Sequence, residues 1–200
     1  MQVFETVNRN FRAIFDLMYV PRELRRSGEF VVHFSDTPRT FYRSMKRLID
    51  LWEPRAVILT GDCADDVKIG LRPGLIDLYE QGLRELHGVV RDVKNLYITP
   101  GNHDDVELLR RHLDWACIDD HQLVTVDGQN FEACHYASEL ASPGAIGLFG
   151  HDGTAHSTEG HVWYNGQLHI NLFDRQGAVY QLSYPRFVED ARQMRRLNYT

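Results

Sequence analysis

Five short apolar runs in this chain each lead directly into a residue that can hold a metal ion. Phe30-Val31-Val32-His33-Phe34-Ser35 ends in Asp36, and Ala56-Val57-Ile58-Leu59-Thr60 ends in Gly61-Asp62. Leu96-Tyr97-Ile98-Thr99-Pro100 leads into Gly101-Asn102-His103-Asp104. Asn130-Phe131-Glu132-Ala133-Cys134 ends in His135, and Ile146-Gly147-Leu148-Phe149 ends in Gly150-His151. Runs of this length, bounded by turn residues, read as strands. Ligands of open α/β sheets bind beside the carboxyl ends of strands, so the pattern predicts one site fed by five strand exits. A lone Asp or Asn there is explained as a turn former. Five potential ligands in series point to a site instead. Asp36, Asp62, Asn102, His135 and His151 make a mixed oxygen and nitrogen set suited to manganese, iron or zinc.

Gly61-Asp62, Gly101-Asn102-His103-Asp104 and Gly150-His151 occur in an order that resembles the calcineurin-like metallophosphoesterase family. The family pattern is roughly D-x-H, G-D, G-N-H-D/E, H and G-H-x-H, and the resemblance spans about residues 30–173. It implies an α/β fold, a β-sandwich of two mixed sheets flanked by helices, with a two-metal centre at one rim. It also implies hydrolysis of a phosphate ester by metal-activated water. By the same resemblance, Asp62, Asn102, His135 and His151 form the whole protein shell of one ion, and Asp36 with Asp62 is what remains of the other. His103 would face the leaving-group oxygen, with Asp104 behind it fixing the ring. The implied cofactor is a divalent transition metal, manganese first, with iron, zinc and nickel as alternatives.

Two departures matter. Asp36-Thr37-Pro38 stands in place of D-x-H, and Gly150-His151-Asp152-Gly153 in place of G-H-x-H. The two absent histidines serve the same ion in the family. The expectation is therefore one tight ion, with the second weak or absent. His156 and Asp152 lie in the following loop as candidate substitutes. His33 is expected in the core, because strand alternation turns it away from Asp36. Tyr136 follows His135 where the family often has glycine, and would narrow the pocket or simply pack there.

The chain of 200 residues, 43% of them hydrophobic, is long enough to bury one sizeable core. Residues 1–28 read as an N-terminal helical extension, and residues 29–200 as the metallophosphoesterase-like domain. Phe4, Val7, Phe11, Ile14, Phe15 and Met18 recur at helical spacing. That amphipathic helix would pack on the core, make a homodimer contact, or cover the site. Thr37-Pro38 reads as an N-cap and first helical residue of a helix to about residue 51. Further helices are predicted over residues 73–87 and from 106 to about 113, with Asp104 or Asp105 as cap. Asp127-Gly128 and Asn165-Gly166 each signal a hairpin, and residues 178–184 read as the last strand. Pro185 opens a final helix whose Arg186, Arg192, Arg195 and Arg196 read as a solvated face.

A net charge of −6 gives no sign of a nucleic-acid-binding surface. The longest apolar runs are strand-length, so no membrane span or signal peptide is expected. Cys63, Cys117 and Cys134 show no zinc spacing and read as reduced thiols of a cytoplasmic protein. Cys134 should point away from the site by alternation. The function read from these residues is hydrolysis of a phosphate-ester small molecule, monoester or diester, at an altered centre. The alternative is a weak or inactive scaffold of the same fold that binds other proteins. Bound-metal count and turnover separate the two.

Overall fold

The computed structural model describes residues 18–151 and 162–192. In chain order its strands are β1 (Val31–Phe34), β2 (Ala56–Leu59), β3 (Leu96–Ile98), β4 (Cys117–Ile118), β5 (His121–Val126), β6 (Gln129–Cys134), β7 (Ile146–Phe149), β8 (Val162–Asn165), β9 (His169–Phe173) and β10 (Val179–Ser183). The α-helices are α1 (Tyr42–Trp52), α2 (Ile76–Val90), α3 (Val106–His112) and α4 (Arg186–Arg192). A six-stranded sheet runs in the order β10-β9-β1-β2-β3-β4, and a four-stranded sheet in the order β5-β6-β7-β8.

Both sheets are mixed. Strands β1 to β4 are parallel, while β9 runs antiparallel to β1 and to β10. In the second sheet β5 and β6 are antiparallel, and β6, β7 and β8 are parallel. Every residue of β1 and β2 is buried, because each strand is covered on both faces. Val32, Phe34, Val57 and Leu59 join the apolar side chains of the helices in the larger core. Val31, Ala56 and Ile58 point the other way and meet Val124, Phe131, Ala133, Leu148 and Phe173 between the sheets. This is the expected sandwich of two mixed sheets, with helices on the outer side of the larger one.

Several local expectations change. The Asn165-Gly166 turn is not a hairpin, since β8 pairs with β7 and β9 with β1. Asn165 Oδ1 accepts from the Gln167 and Leu168 amides, and Gly166 N donates to Phe149 O. The turn thus carries the chain from one sheet to the other. Thr37 is not a helix cap. Its hydroxyl donates to Cys63 O, and a 3-10 turn over Arg39–Phe41 precedes α1. The carboxylate of Asp66 accepts from the Arg39 amide instead. Asp127-Gly128 does join an antiparallel pair, and Asp105 caps α3 by accepting from the Leu108 amide.

Arg192 is the largest correction at the C-terminal end. It is buried rather than part of a solvated face, and its guanidinium lies 4.3 Å from the centre of the Tyr184 ring. Arg195, Arg196 and the proposed amphipathic helix up to residue 17 lie outside the described residues, while Met18 is buried in the larger core. Cys63 and Cys134 are buried and Cys117 is exposed, all three as free thiols. Among the described residues no helix is long and apolar enough to cross a membrane.

Candidate metal centre

The five predicted strand exits come from both sheets. Asp36, Asp62 and Asn102 lie beyond β1, β2 and β3, and His135 and His151 beyond β6 and β7. Backbone hydrogen bonds tie the loops together: Asp36 N to Gly61 O, Thr37 N to Asp62 O, and Gly150 N to His135 O. Three of the five residues hold left-handed backbones, with φ of 50° at Asp36, 51° at Asp62 and 39° at His151. Such conformations cost about 1–3 kcal/mol each and collect where function over-determines the backbone. Gly101 is required for a different reason. A Cβ there would lie 2.5 Å from Asp62 N and 2.8 Å from His135 Cε1.

His135 shows what the site is built to hold. Its ring is 2% exposed, and Nδ1 lies 2.7 Å from Thr60 O, so Nδ1 carries the proton and donates. In the neutral ring Nε2 is then the lone pair, and it faces Asn102 Oδ1 at 3.1 Å. Asn102 Nδ2 lies 3.1 Å from His103 Nε2. Two acceptors facing each other inside a protein repel unless a cation lies between them. A ligand histidine held by a carbonyl at its other nitrogen is the usual arrangement at metal sites. Asp62 and His151 complete the group: the ligand atoms of Asp62, His135 and His151 lie within 4.8 Å of one another. The donor set therefore fits a divalent transition metal. Burial and the neighbouring Asp36 raise the Asp62 pKa above the ordinary carboxylate value, the strain that an ion would relieve. The Tyr136 ring stacks edge-on against His135 and His151, at 4.8 and 4.6 Å between centres, and walls this side of the site.

The structure also brings in Asp65, which the strand-exit pattern did not single out. The ligand atoms of Asp36, Asp62 and Asp65 lie within 4.8 Å of one another, and all three residues are buried. Burial, then the charge of Asp36, pushes the Asp65 carboxyl up to about 9, against the pull of Lys68. Lys68 Nζ pairs with Asp65 Oδ1. Asp36 accepts from Ser35 Oγ, Gln167 Nε2 and His151 N. Arg192 grips the backbone beneath it, donating to Asp36 O at 2.7 Å, Ser35 O at 2.9 Å and Gln167 O at 2.6 Å.

His103 and Asp104 are close to the centre but are not paired with each other. Asp104 accepts from the Cys63 amide and the Tyr79 hydroxyl at one oxygen and from the Gly101 amide at the other. It holds the loop, not the ring of His103. Burial lifts its pKa to about 6, with Asp62 adding to the rise. His103 Nδ1 is buried with no hydrogen-bond partner among the described residues. Burial, then the charge of Lys68, lowers the His103 pKa to about 4, so the ring is neutral at pH 7. His33 lies in the core as expected, with Nε2 on Thr60 Oγ1 and Nδ1 on Asn171 Nδ2. Cys134 packs with Ala137, Leu140 and Phe149, away from this cluster. His156 and Asp152 lie outside the described residues.

No family model matches the sequence, and no curated protein does. Solved structures do match the fold. Yfce, a phosphoesterase from E. coli, superposes with a TM-score of 0.51 at 13% identity, covering 77% of this chain and 98% of its own. An archaeal phosphodiesterase gives 0.48 at 18% identity, over 78% of this chain and 99% of its own. Vacuolar Protein Sorting 29 from Cryptosporidium parvum gives 0.42 at 15% identity, over 79% and 100%. The two mixed sheets, the helices outside them, the rim of five strand exits and the likeness to Yfce together give this chain the fold of the calcineurin-like metallophosphoesterases.

Proposed function

We propose that this chain is a metal-dependent phosphoesterase with an altered centre, in which Asp62, Asn102, His135 and His151 hold one divalent ion tightly. The observation that carries this reading is the bare Nε2 of His135 facing Asn102 Oδ1 at 3.1 Å. Manganese suits the mixed set, with iron, zinc and nickel as alternatives. A bound ion would polarise a phosphoryl oxygen and lower the pKa of a nearby water. Thr60 O fixes the His135 tautomer, and Gly101 lets Asp62 and His135 approach. Asp36, held by Ser35, Gln167 and Arg192, orients what enters from the opposite side. His103 Nε2 is the ring nitrogen on the Asn102 side, and the ring would face the leaving oxygen there. The substrate class is a small phosphate ester.

The test is turnover of an activated aryl phosphomonoester and phosphodiester with added manganese. Slow turnover is expected, and His103→Ala should lower it by about a hundredfold or more while the ion is retained. Absence of turnover with manganese, iron, zinc and nickel would overturn the enzymatic reading in favour of a scaffold of this fold.

A further inference from the structure

We infer that Asp65 replaces the missing histidines, so that Asp36, Asp62 and Asp65 form a second, all-oxygen cation site sharing Asp62 with the first. This rests on the metal-centre reading above. The three carboxylates are 2%, 2% and 0% exposed, and one oxygen of each lies within 4.8 Å of the others. Oxygens this close can reach a single ion with bonds of about 2.1–2.4 Å. A cluster of acids alone would not make a site. The second observation is Asp65 Oδ2, buried and with no hydrogen-bond partner among the described residues. A buried carboxylate oxygen without a donor is costly, and a cation is the partner it lacks. Asp62 belongs to both ligand groups, so the two ions would be neighbours bridged by one carboxylate.

The donor chemistry sets the ion's character. Three carboxylates without nitrogen favour a hard cation, manganese or magnesium, over zinc. Lys68 is the competitor. Its ammonium already pairs with Asp65 Oδ1, leaving Oδ2 for the ion. Each added positive charge beside the site weakens cation binding, so the second ion should bind more weakly than the first. The substitution of histidine by aspartate thus moves the missing shell from strand exits to a turn three residues beyond Asp62.

The test is a manganese titration of the whole chain followed by electron paramagnetic resonance and elemental analysis. Wild type is expected to take up two ions, with exchange coupling between them once the second binds. Asp65→Asn, nearly the same shape as a protonated Asp65, should weaken the second ion by about tenfold or more and abolish the coupling, with the first ion retained. Lys68→Met should tighten the second ion severalfold. A second ion unaffected by Asp65→Asn, or a single ion in wild type even at millimolar manganese, overturns the inference and leaves the first site standing. If neither wild type nor Lys68→Met binds any ion, the proposed function falls with it. Thermal melting of each variant separates a lost ligand from a lost fold, and Lys68→Met keeps the question open to measurement if Asp65→Asn does not fold.

Discussion

His33 and His135 sit on either side of Thr60, and both are almost fully buried, at 0% and 2% exposure. His33 takes the Thr60 hydroxyl and the amide nitrogen of Asn171, so each ring nitrogen has a partner it can pair with. His135 takes the Thr60 carbonyl with one nitrogen and points the other at an amide oxygen. Burial does not separate the two roles. The difference lies in what the second nitrogen faces: an amide nitrogen closes His33 into the core, whereas His135 faces an amide oxygen beside the other candidate ligands.

The most damaging way to probe that contrast is His135→Ala. It should cut affinity for the tight ion by about a hundredfold or more, seen as loss of metal on dialysis and elemental analysis. His33→Asn should keep the ion. If both variants lose it equally, the two histidines do not differ as described.

A smaller effect comes from pH. Burial holds His33 down to about 3, from an ordinary value of 6.5. Between those values the unfolded chain binds a proton at this ring that the folded chain does not, so stability falls as pH falls below 6.5. From pH 6.5 to pH 5 the His33 share is about 2 kcal/mol, at about 1.36 kcal/mol per unit. The buried carboxyl of Asp65 acts in the opposite direction, because its raised pKa favours the folded state at lower pH. Urea unfolding of wild type and His33→Asn at both pH values isolates the His33 share as the difference in slope. Equal slopes would mean that His33 is not buried neutral.

Thr60→Val should be milder still. It removes the hydroxyl that serves His33 but leaves the carbonyl that serves His135. A loss of about 1–2 kcal/mol in stability is expected, with metal retention unchanged. Loss of metal in this variant would show that the two environments are coupled.

The strand exits were legible because each ligand type stands next to its own apolar run, and the order of the runs resembles one family. Asp65 was not, because it lies in a turn three residues beyond Asp62, and its neighbour Asp36 arrives from another loop. The family resemblance implied Asp104 as the partner of His103. The Tyr79 hydroxyl and the Cys63 amide, both distant in sequence, claim its carboxylate instead. Asn165-Gly166 carries the chemistry of a tight turn, but a turn does not say which sheet receives the next strand. Arg192 sits among arginines that look like a charged surface, and only the carbonyls waiting for it reveal that it is buried.

Arg192 and Asp36 are 156 residues apart in sequence. The loop after β1 therefore depends on the last described helix for its shape. During synthesis, a ribosome that has released all five strand exits has still not released the guanidinium that holds Asp36 in place. The backbone on the carboxylate side of the centre gains its three bonds from Arg192 only after α4 has emerged.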